Sequence, residues 1–357
     1  MPENESHNEE SLKAVDFFCG AGGVTCGFRQ AGISVLAGVD IDSTCKKTYE
    51  ENNPGSEFLC ADVSNLPLDY LSDKLNISIN DDNLIFVGCS PCQYYSNINT
   101  DKTKSTTTRL LLEDFQLFIN YYKPGYIMIE NVPGLETKQG SPLSNFKAFL
   151  KDNNYTYQDK VVNAKYFGVP QNRRRYVMIA SRVNKEISFP KENKIIDKTV
   201  KDAIGDYTVF NEITAGHKDT TEFIHTSARL TEVNLKRIKS TSKNGGSRKD
   251  WNEELQLSCH KNHLGHTDVY GRMSWSGVAP TITTRFNSLS NGRYGHPEQD
   301  RAISLREGAT LQSFPITYNF HASSQVNIAK MIGNAVPPSL SKKIAEVFME
   351  FRKKSND

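Results

Sequence analysis

Short apolar runs alternate with longer amphipathic stretches through the first half of the chain, and each run ends on glycine, a carboxylate or a thiol. The run Leu12-Lys13-Ala14-Val15-Asp16-Phe17-Phe18 predicts a buried strand, followed by the turn Cys19-Gly20-Ala21-Gly22-Gly23 and a helix over residues 24–31. Further strands are expected at 34–39, ending at Asp40; at 58–61, ending at Asp62; at 84–87, leading to Cys92; and at 126–129, ending at Glu130. A last one, 176–180, follows an Arg-rich turn. Strand and helix alternating in this way predict an α/β fold with a doubly wound, mostly parallel sheet. Open sheets of this kind keep their chemistry at the carboxyl ends of their strands.

After about residue 185 the alternation gives way to short segments rich in Lys, Asn, Ser and Thr, so a smaller inserted domain is expected there. Over 325–354 amphipathic helix returns (Ile328, Met331, Ile332, then Ile344, Val347, Phe348), broken by Gly333-Asn334-Ala335-Val336-Pro337-Pro338. The expected division is therefore an acidic, disordered tail at 1–12, a catalytic domain at 13–185, an inserted domain at 186–324, and a terminal helix at 325–357 that completes the catalytic domain. The tail lacks the apolar stretch of a signal peptide.

Composition narrows the setting. At 357 residues with 37% hydrophobic content the chain can bury a full core. No run approaches the ~18 apolar residues of a membrane span. The seven cysteines, six of them before residue 93, do not form a disulfide pattern and suit a reducing, cytoplasmic location. The net charge of +2 hides an asymmetry: residues 161–250 hold 18 Lys and Arg against 10 Asp and Glu, and the rest of the chain 25 against 31. A basic middle in an acidic body suits a polyanion bound on one face.

The chemistry concentrates at the strand ends. The turn at Gly20, Gly22 and Gly23 lets backbone approach a ligand, and Asp40 can accept from ribose hydroxyls, a geometry for a nucleotide-like cofactor. Thr25 stands where a dinucleotide motif has its third glycine, so a pyrophosphate ligand fits less well. Cys92, in Gly88-Cys89-Ser90-Pro91-Cys92-Gln93, is a thiol at a tight turn whose direction Pro91 defines, and such a thiol acts as a nucleophile once ionised.

In order, Asp16-Phe17-Phe18-Cys19-Gly20-Ala21-Gly22-Gly23, Pro91-Cys92-Gln93, Glu130-Asn131-Val132, Gln171-Asn172-Arg173-Arg174-Arg175 and Gly333-Asn334-Ala335-Val336-Pro337 resemble the motifs of the DNA (cytosine-5)-methyltransferases. Arg301-Ala302-Ile303-Ser304-Leu305-Arg306-Glu307, running to Gln312-Ser313-Phe314-Pro315, is similar to the family's penultimate motif. The resemblance implies the S-adenosylmethionine-dependent methyltransferase fold, S-adenosylmethionine as methyl donor without a metal, and a cytosine flipped out of double-stranded DNA. It makes the inserted domain a target-recognition domain, with its variable part at about 186–280, overlapping the basic block. Carried over by position, Cys92 is the nucleophile for ring carbon 6, Glu130 bonds the ring nitrogen and exocyclic amine, and Arg175 with Arg173 holds the base carbonyl and adjacent phosphate. Phe18, Gly20, Gly22, Gly23, Asp40, Ile41, Asp62, Val63, Pro91, Leu111, Asn334, Ala335 and Val336 fall where the family holds the donor. Gln93, Ser96, Gln171 and Arg285 fall where it meets DNA. Asp40 stands where glutamate is frequent, and Ser90 where proline is common.

The implied protein is a monomeric DNA methyltransferase working at the nucleoid, in a restriction–modification system with a cognate endonuclease or as a solitary modification enzyme. A thiol–disulfide exchange site at Cys89-Ser90-Pro91-Cys92 would leave Glu130 and the arginines without a role. A tRNA substrate, as in one branch of the family, usually comes with a Cys-Phe-Thr tripeptide that this recognition region lacks. A catalytically inactive DNA-binding module would not need Cys92, Glu130 and Arg175 together. The cluster Cys259, His260, His263 and His266 holds one cysteine, and DNA contact or loop packing accounts for it better than structural zinc. Trp251 and Trp275 are expected as scaffold.

Overall fold

In the computed structural model the described residues are 11–91, 110–138, 140–196, 198–258 and 268–356. Seven strands form one sheet: β1 (Lys13–Phe17), β2 (Ser34–Asp40), β3 (Glu57–Cys60), β4 (Leu84–Gly88), β5 (Tyr126–Asn131), β6 (Thr156–Asn163) and β7 (Arg174–Ser181), in the order β3-β2-β1-β4-β5-β7-β6. The helices are α1 (Gly23–Gln30), α2 (Lys46–Asn52), α3 (Tyr70–Leu75), α4 (Leu111–Tyr122), α5 (Gly134–Thr137), α6 (Leu143–Asp152), α7 (Val200–Ile204), α8 (Glu232–Lys239), α9 (Leu305–Leu311), α10 (Gln325–Asn334) and α11 (Pro338–Asn356).

Strands β3 to β5 run parallel, while β7 pairs antiparallel with both β5 and β6. From β1 the chain winds outward through β2 and β3, then returns to β4 on β1's other side. The switch point therefore lies between the carboxyl ends of β1 and β4, with the Gly-rich turn on one flank and Ser90-Pro91 on the other. Of the strands, β6 gave no apolar run in the sequence: Thr-Tyr-Gln-Asp-Lys-Val-Val-Asn lies at the sheet edge, where its side chains are mostly half-buried or exposed.

Both sheet faces are covered, as two-residue periodicity demands. Val15, Phe17, Val39, Phe86, Ile127 and Ile129 face a core that includes Phe115 and Phe118 of α4. Ala14, Val35, Ile85, Val87, Met128 and Ile179 face one that includes Phe28 of α1 and Ile344 and Phe348 of α11. Helix α11 lies close on α1 because residue 27 is glycine; a Cβ there would meet the Pro338 carbonyl at 2.4 Å. Leu12, just ahead of β1, is buried and its carbonyl accepts from Ser34 N at 3.2 Å.

The stretch 186–324 feeds three cores: Ile187 joins the one that includes Phe28 and Phe348, and the rest divide between two others. Ile238, Trp251, Tyr270, Leu289 and Ala302 form a small one of their own. Val200, Ile204, Ile282, Phe286, Ile303, Leu305, Phe314 and Phe320 instead join Cys19, Tyr49 and Phe58 beside the β2–β3 end of the sheet. The guanidinium of Arg272, 1% exposed, donates to the carbonyls of Ile238, Thr241, His296 and Gln299 and pairs with Asp300, tying the smaller unit together. Among the described residues no helix is long and apolar enough to cross a membrane.

Candidate active site

The turn after β1 is shaped from behind. Phe18 sits at φ 62°, a left-handed conformation uncommon outside glycine and concentrated at ligand clamps. Its N–H donates to Val39 O at 2.7 Å. Asp40, at the end of β2, accepts from Gly20 N and from Asp42 N, each at 2.8 Å, so one carboxylate holds both loops. Burial pushes the Asp40 carboxyl above the usual range, against the pull of those two hydrogen bonds. Gly23 is needed for close approach, since a Cβ there would meet Val336 O at 2.3 Å. Tyr318 OH donates to Ala21 O at 2.6 Å; no sequence signal marked that residue, 297 positions away.

Beside Asp40, Ile41 is 68% exposed, an apolar side chain left open at a strand end. Asp62 accepts from Ser64 N at 3.1 Å and from Asn65 Nδ2 at 2.8 Å, next to the buried Val63. Ser64 Oγ donates to Asp114 Oδ2 at 2.8 Å, linking that loop to the first turn of α4, which opens on the half-buried Leu111. From the chain's far end come Asn334, which is exposed, Ala335 and the buried Val336, on the turn between α10 and α11.

Beneath these groups lies Asp16, 1% exposed. Its Oδ2 accepts from Thr25 Oγ1 at 2.8 Å, and its Oδ1 is buried with no hydrogen-bond partner among the described residues. Burial outweighs the Thr25 hydrogen bonds and pushes the carboxyl up to about 7.

Across the switch point, β5 delivers Glu130, 7% exposed. Antiparallel pairing sets Glu130 opposite Val177, so Arg175, two residues earlier on β7, is its diagonal neighbour on the same face. Arg175 Nε lies 2.9 Å from Glu130 Oε1. The contact is a close ion pair set off the hydrogen-bond direction, for Oε1 accepts no well-aligned bond. Burial raises the Glu130 carboxyl, and the charges of Arg175 and then Arg173 pull it back part of the way. The next residue, Asn131, donates through Nδ2 to Ser90 O at 3.2 Å and lies 3.4 Å from Ser90 Oγ, fastening the turn that carries Pro91.

Cys92, Gln93 and Ser96, and the Cys259, His260, His263 and His266 cluster, lie outside the described residues. Elsewhere no group of three metal-ligating side chains occurs among the described residues. Pro91 and Arg285 are exposed. Arg173 and Gln171 sit differently from their expected roles at the base and the DNA. Arg173, 2% exposed, donates to the carbonyls of Ile282, Gly333 and Ala335. Gln171, 0% exposed, is bonded to Gln312, Leu311 O and Ile282 N. The basic block is likewise less open than its count suggests, since Arg173 and Arg248 are buried and Arg182 pairs with Asp82 at 2.6 Å.

Known proteins resemble this chain in sequence and in fold. The family model for C-5 cytosine-specific DNA methylase matches residues 12–350. The Type II methylase M.HgiDII of Herpetosiphon aurantiacus is 40% identical over 345 residues, covering 94% of this chain and 95% of its own length. The Type II methyltransferase M1.HphI of Haemophilus parahaemolyticus is 31% identical over 343 residues, covering 95% of this chain and 87% of its own. Among solved structures, Entamoeba histolytica methyltransferase EhMeth superposes with a TM-score of 0.66 at 14% identity, over 98% of this chain and 99% of that one, which shows a shared fold.

Proposed function

The chain belongs to the C-5 cytosine-specific DNA methylase family, and on that premise we propose that it methylates ring carbon 5 of a flipped cytosine in double-stranded DNA through a covalent adduct with Cys92. It is a C-5 cytosine DNA methyltransferase of the Type II restriction–modification kind. The observation that carries the site assignment is the Glu130–Arg175 pair at the end of β5, beside the turn that leads to Cys92.

The Cys92 thiolate adds to carbon 6, and the double-bond electrons move to carbon 5, which takes the methyl group. Loss of the carbon 5 proton to a base and departure of the sulfur as thiolate restore the ring. Neutral cytosine resists this attack unless the charge developing on its ring nitrogen is met. Glu130 suits that role, because its burial favours a shared proton at the ring nitrogen. Arg175 holds Glu130 in place and offers its remaining N–H groups to the base carbonyl. Carbon 6 is out of reach inside a duplex, so the base must leave the stack, at a cost of a few kcal/mol that protein contacts offset.

S-adenosylmethionine, when bound, would supply an electrophilic methyl group on a sulfonium, the broken S–CH3 bond's electrons returning to sulfur as it leaves as S-adenosylhomocysteine. The residues present fit such a donor: an exposed Ile41 for an apolar ring, Asp40 for ribose hydroxyls, Asp62 with Val63 just past the next strand, and the buried, unsatisfied Asp16 Oδ1 near the Gly-rich turn. Phe18, Gly20, Gly22, Gly23, Pro91, Leu111 and the Asn334–Ala335–Val336 turn complete the set.

In this reading residues 13–185 and 325–357 carry the chemistry, residues 186–324, Arg285 among them, read the DNA with help from Gln93 and Ser96, and the duplex lies between them. The protein works as a cytoplasmic monomer at the nucleoid, beside a cognate endonuclease or as a solitary modification enzyme. Bisulfite sequencing of DNA from cells expressing the protein tests the reaction, substrate and motif at once. Protected cytosines within one short motif are expected; unmodified DNA overturns the reading.

A further inference from the structure

Three motifs far apart in sequence meet in one buried polar knot. Gln312, 0% exposed and following α9, donates through Nε2 to Ala335 O at 2.7 Å and to Ile332 O at 3.1 Å. Arg173 Nη2 donates to the same Ala335 carbonyl at 3.0 Å and to Gly333 O at 3.2 Å, while its Nη1 reaches Ile282 O at 3.0 Å. Gln171 closes the circuit: its Nε2 donates to Gln312 Oε1 and its Oε1 accepts from Ile282 N at 2.9 Å. The backbone of 170–172 is laced to Ala279 by Ala279 N to Pro170 O at 2.9 Å and Asn172 N to Ala279 O at 2.8 Å. Gly333 rests against the Thr283 backbone, where a Cβ would come within 2.3 Å.

The geometry points to Gln312, Arg173 and Gln171 as positioning residues for the methyl-donor site, acting through the Ala335 carbonyl rather than on the base or the DNA. Resting on the donor assignment above, this inference concerns how that site is held. The turn 334–336 lacks regular structure at Ala335, which leaves α10 in an extended conformation, so its course depends on what its carbonyls accept. Two side chains share the Ala335 carbonyl, and both are almost wholly removed from solvent. A buried network of this kind holds what it binds and loosens it when a member is lost; here every side-chain amide and both Arg173 Nη groups are engaged, while Arg173 Nε has no partner among the described residues. Gly23, packed on Val336 O, then passes the position of that turn to the Gly-rich turn after β1.

The test compares Gln312→Met, which keeps side-chain volume while removing the donated bonds, with the unaltered protein. Calorimetry with S-adenosylhomocysteine in the absence of DNA is expected to show donor-site affinity falling tenfold or more. The KM for S-adenosylmethionine should rise by a similar factor, with kcat at saturating donor within threefold and DNA affinity without donor unchanged. Should Gln312→Met fail to fold, Gln312→Asn, which keeps the amide but draws it back from Ala335 O, is expected to give the same split at a smaller size. Unchanged donor affinity in a folded variant, or a loss falling on DNA affinity instead, overturns the inference while leaving the donor assignment intact. If the unaltered protein fails to bind S-adenosylhomocysteine, the donor assignment itself falls and the inference with it.

Discussion

Glu130 and Arg175 meet across the β5–β7 ladder at 2.9 Å, the first buried and the second half-buried, and each is the other's main electrostatic partner. Removing one leaves a buried charge uncompensated, which is more damaging than the pair is stabilising. Glu130→Gln is expected to lower turnover about 10²–10⁴-fold, the usual worth of a positioned acid–base group, as read by tritiated methyl incorporation. Arg175→Gln should push the Glu130 carboxyl higher still, because the cation is what pulls it back. With a raised folded-state value, that group's contribution to stability is present below the ordinary glutamate range and lost as pH rises through the folded value. Thermal melts of Arg175→Gln should therefore fall more steeply with rising pH than those of the unaltered protein; parallel curves would contradict the pairing.

Cys92→Ala should abolish methyl transfer while leaving donor binding nearly intact, since the sulfur belongs to the base side of the site. With 5-fluorocytosine in the target, whose substituent cannot leave, a denaturation-resistant protein–DNA adduct is expected that needs both Cys92 and the donor. An adduct that persists in the alanine variant would place the nucleophile elsewhere.

Asp40→Ala removes the acceptor at the end of β2 and releases Gly20 N and Asp42 N together. Donor affinity should drop by about 1–3 kcal/mol, the range for a charge-assisted hydrogen bond left unmade. DNA binding without donor should not change, and calorimetry against each ligand separately decides the point.

Asp16 separates stability from function. Its carboxyl is pushed up to about 7, so at pH 8 the folded protein holds a buried charge it would rather neutralise. Asp16→Asn is expected to raise stability at pH 8 by on the order of 1–3 kcal/mol, discounted from the full linkage value for the amide's own unmet bonds. The advantage should vanish near pH 4, where the carboxyl is neutral in the fold. Donor affinity should fall in the same variant, and equal affinity would remove Asp16 from the donor site.

Within the inserted region His296 is 1% exposed, accepts from Glu298 N and Gln299 N through Nδ1, and turns Nε2 toward Glu307, which Arg301 binds through two oxygens. Burial, partly countered by Glu307, lowers His296 to about 4. The unfolded state thus binds more protons between about 6.5 and 4, and stability falls as pH falls across that window. His296→Asn keeps an acceptor for the two N–H groups and removes the titration. Its melting temperature should decline less between pH 6.5 and 4 than that of the unaltered protein, and an equal decline would assign the loss to other groups.

Much of the site was legible because its parts are local. A buried parallel strand must be a continuous apolar run, so its polar end residues stand out: Asp40 and Glu130 could be read at strand ends from neighbours within five positions, while Asp62, expected at the end of β3, lies two residues past it and caps the following turn. Glycines whose missing side chain makes room for a ligand or another chain are likewise visible in one dimension. What the chain did not reveal were relations between segments. Strand β6 is amphipathic and its antiparallel run through β7 left no mark, yet that reversal is what brings Arg175 beside Glu130. Three arginines in a row look interchangeable; strand alternation turns Arg174 outward, Arg175 meets the carboxylate, and Arg173, ahead of the strand, is drawn inward to backbone carbonyls by the packing of 282 and 333–335. Gln171 and Gln312 meet across 141 positions, and Tyr318 reaches the Gly-rich turn across 297. Residue types and their spacing determined which chemistry the chain carries. Which copy of a repeated residue performs it was decided by burial and register, which depend on contacts between segments far apart in sequence.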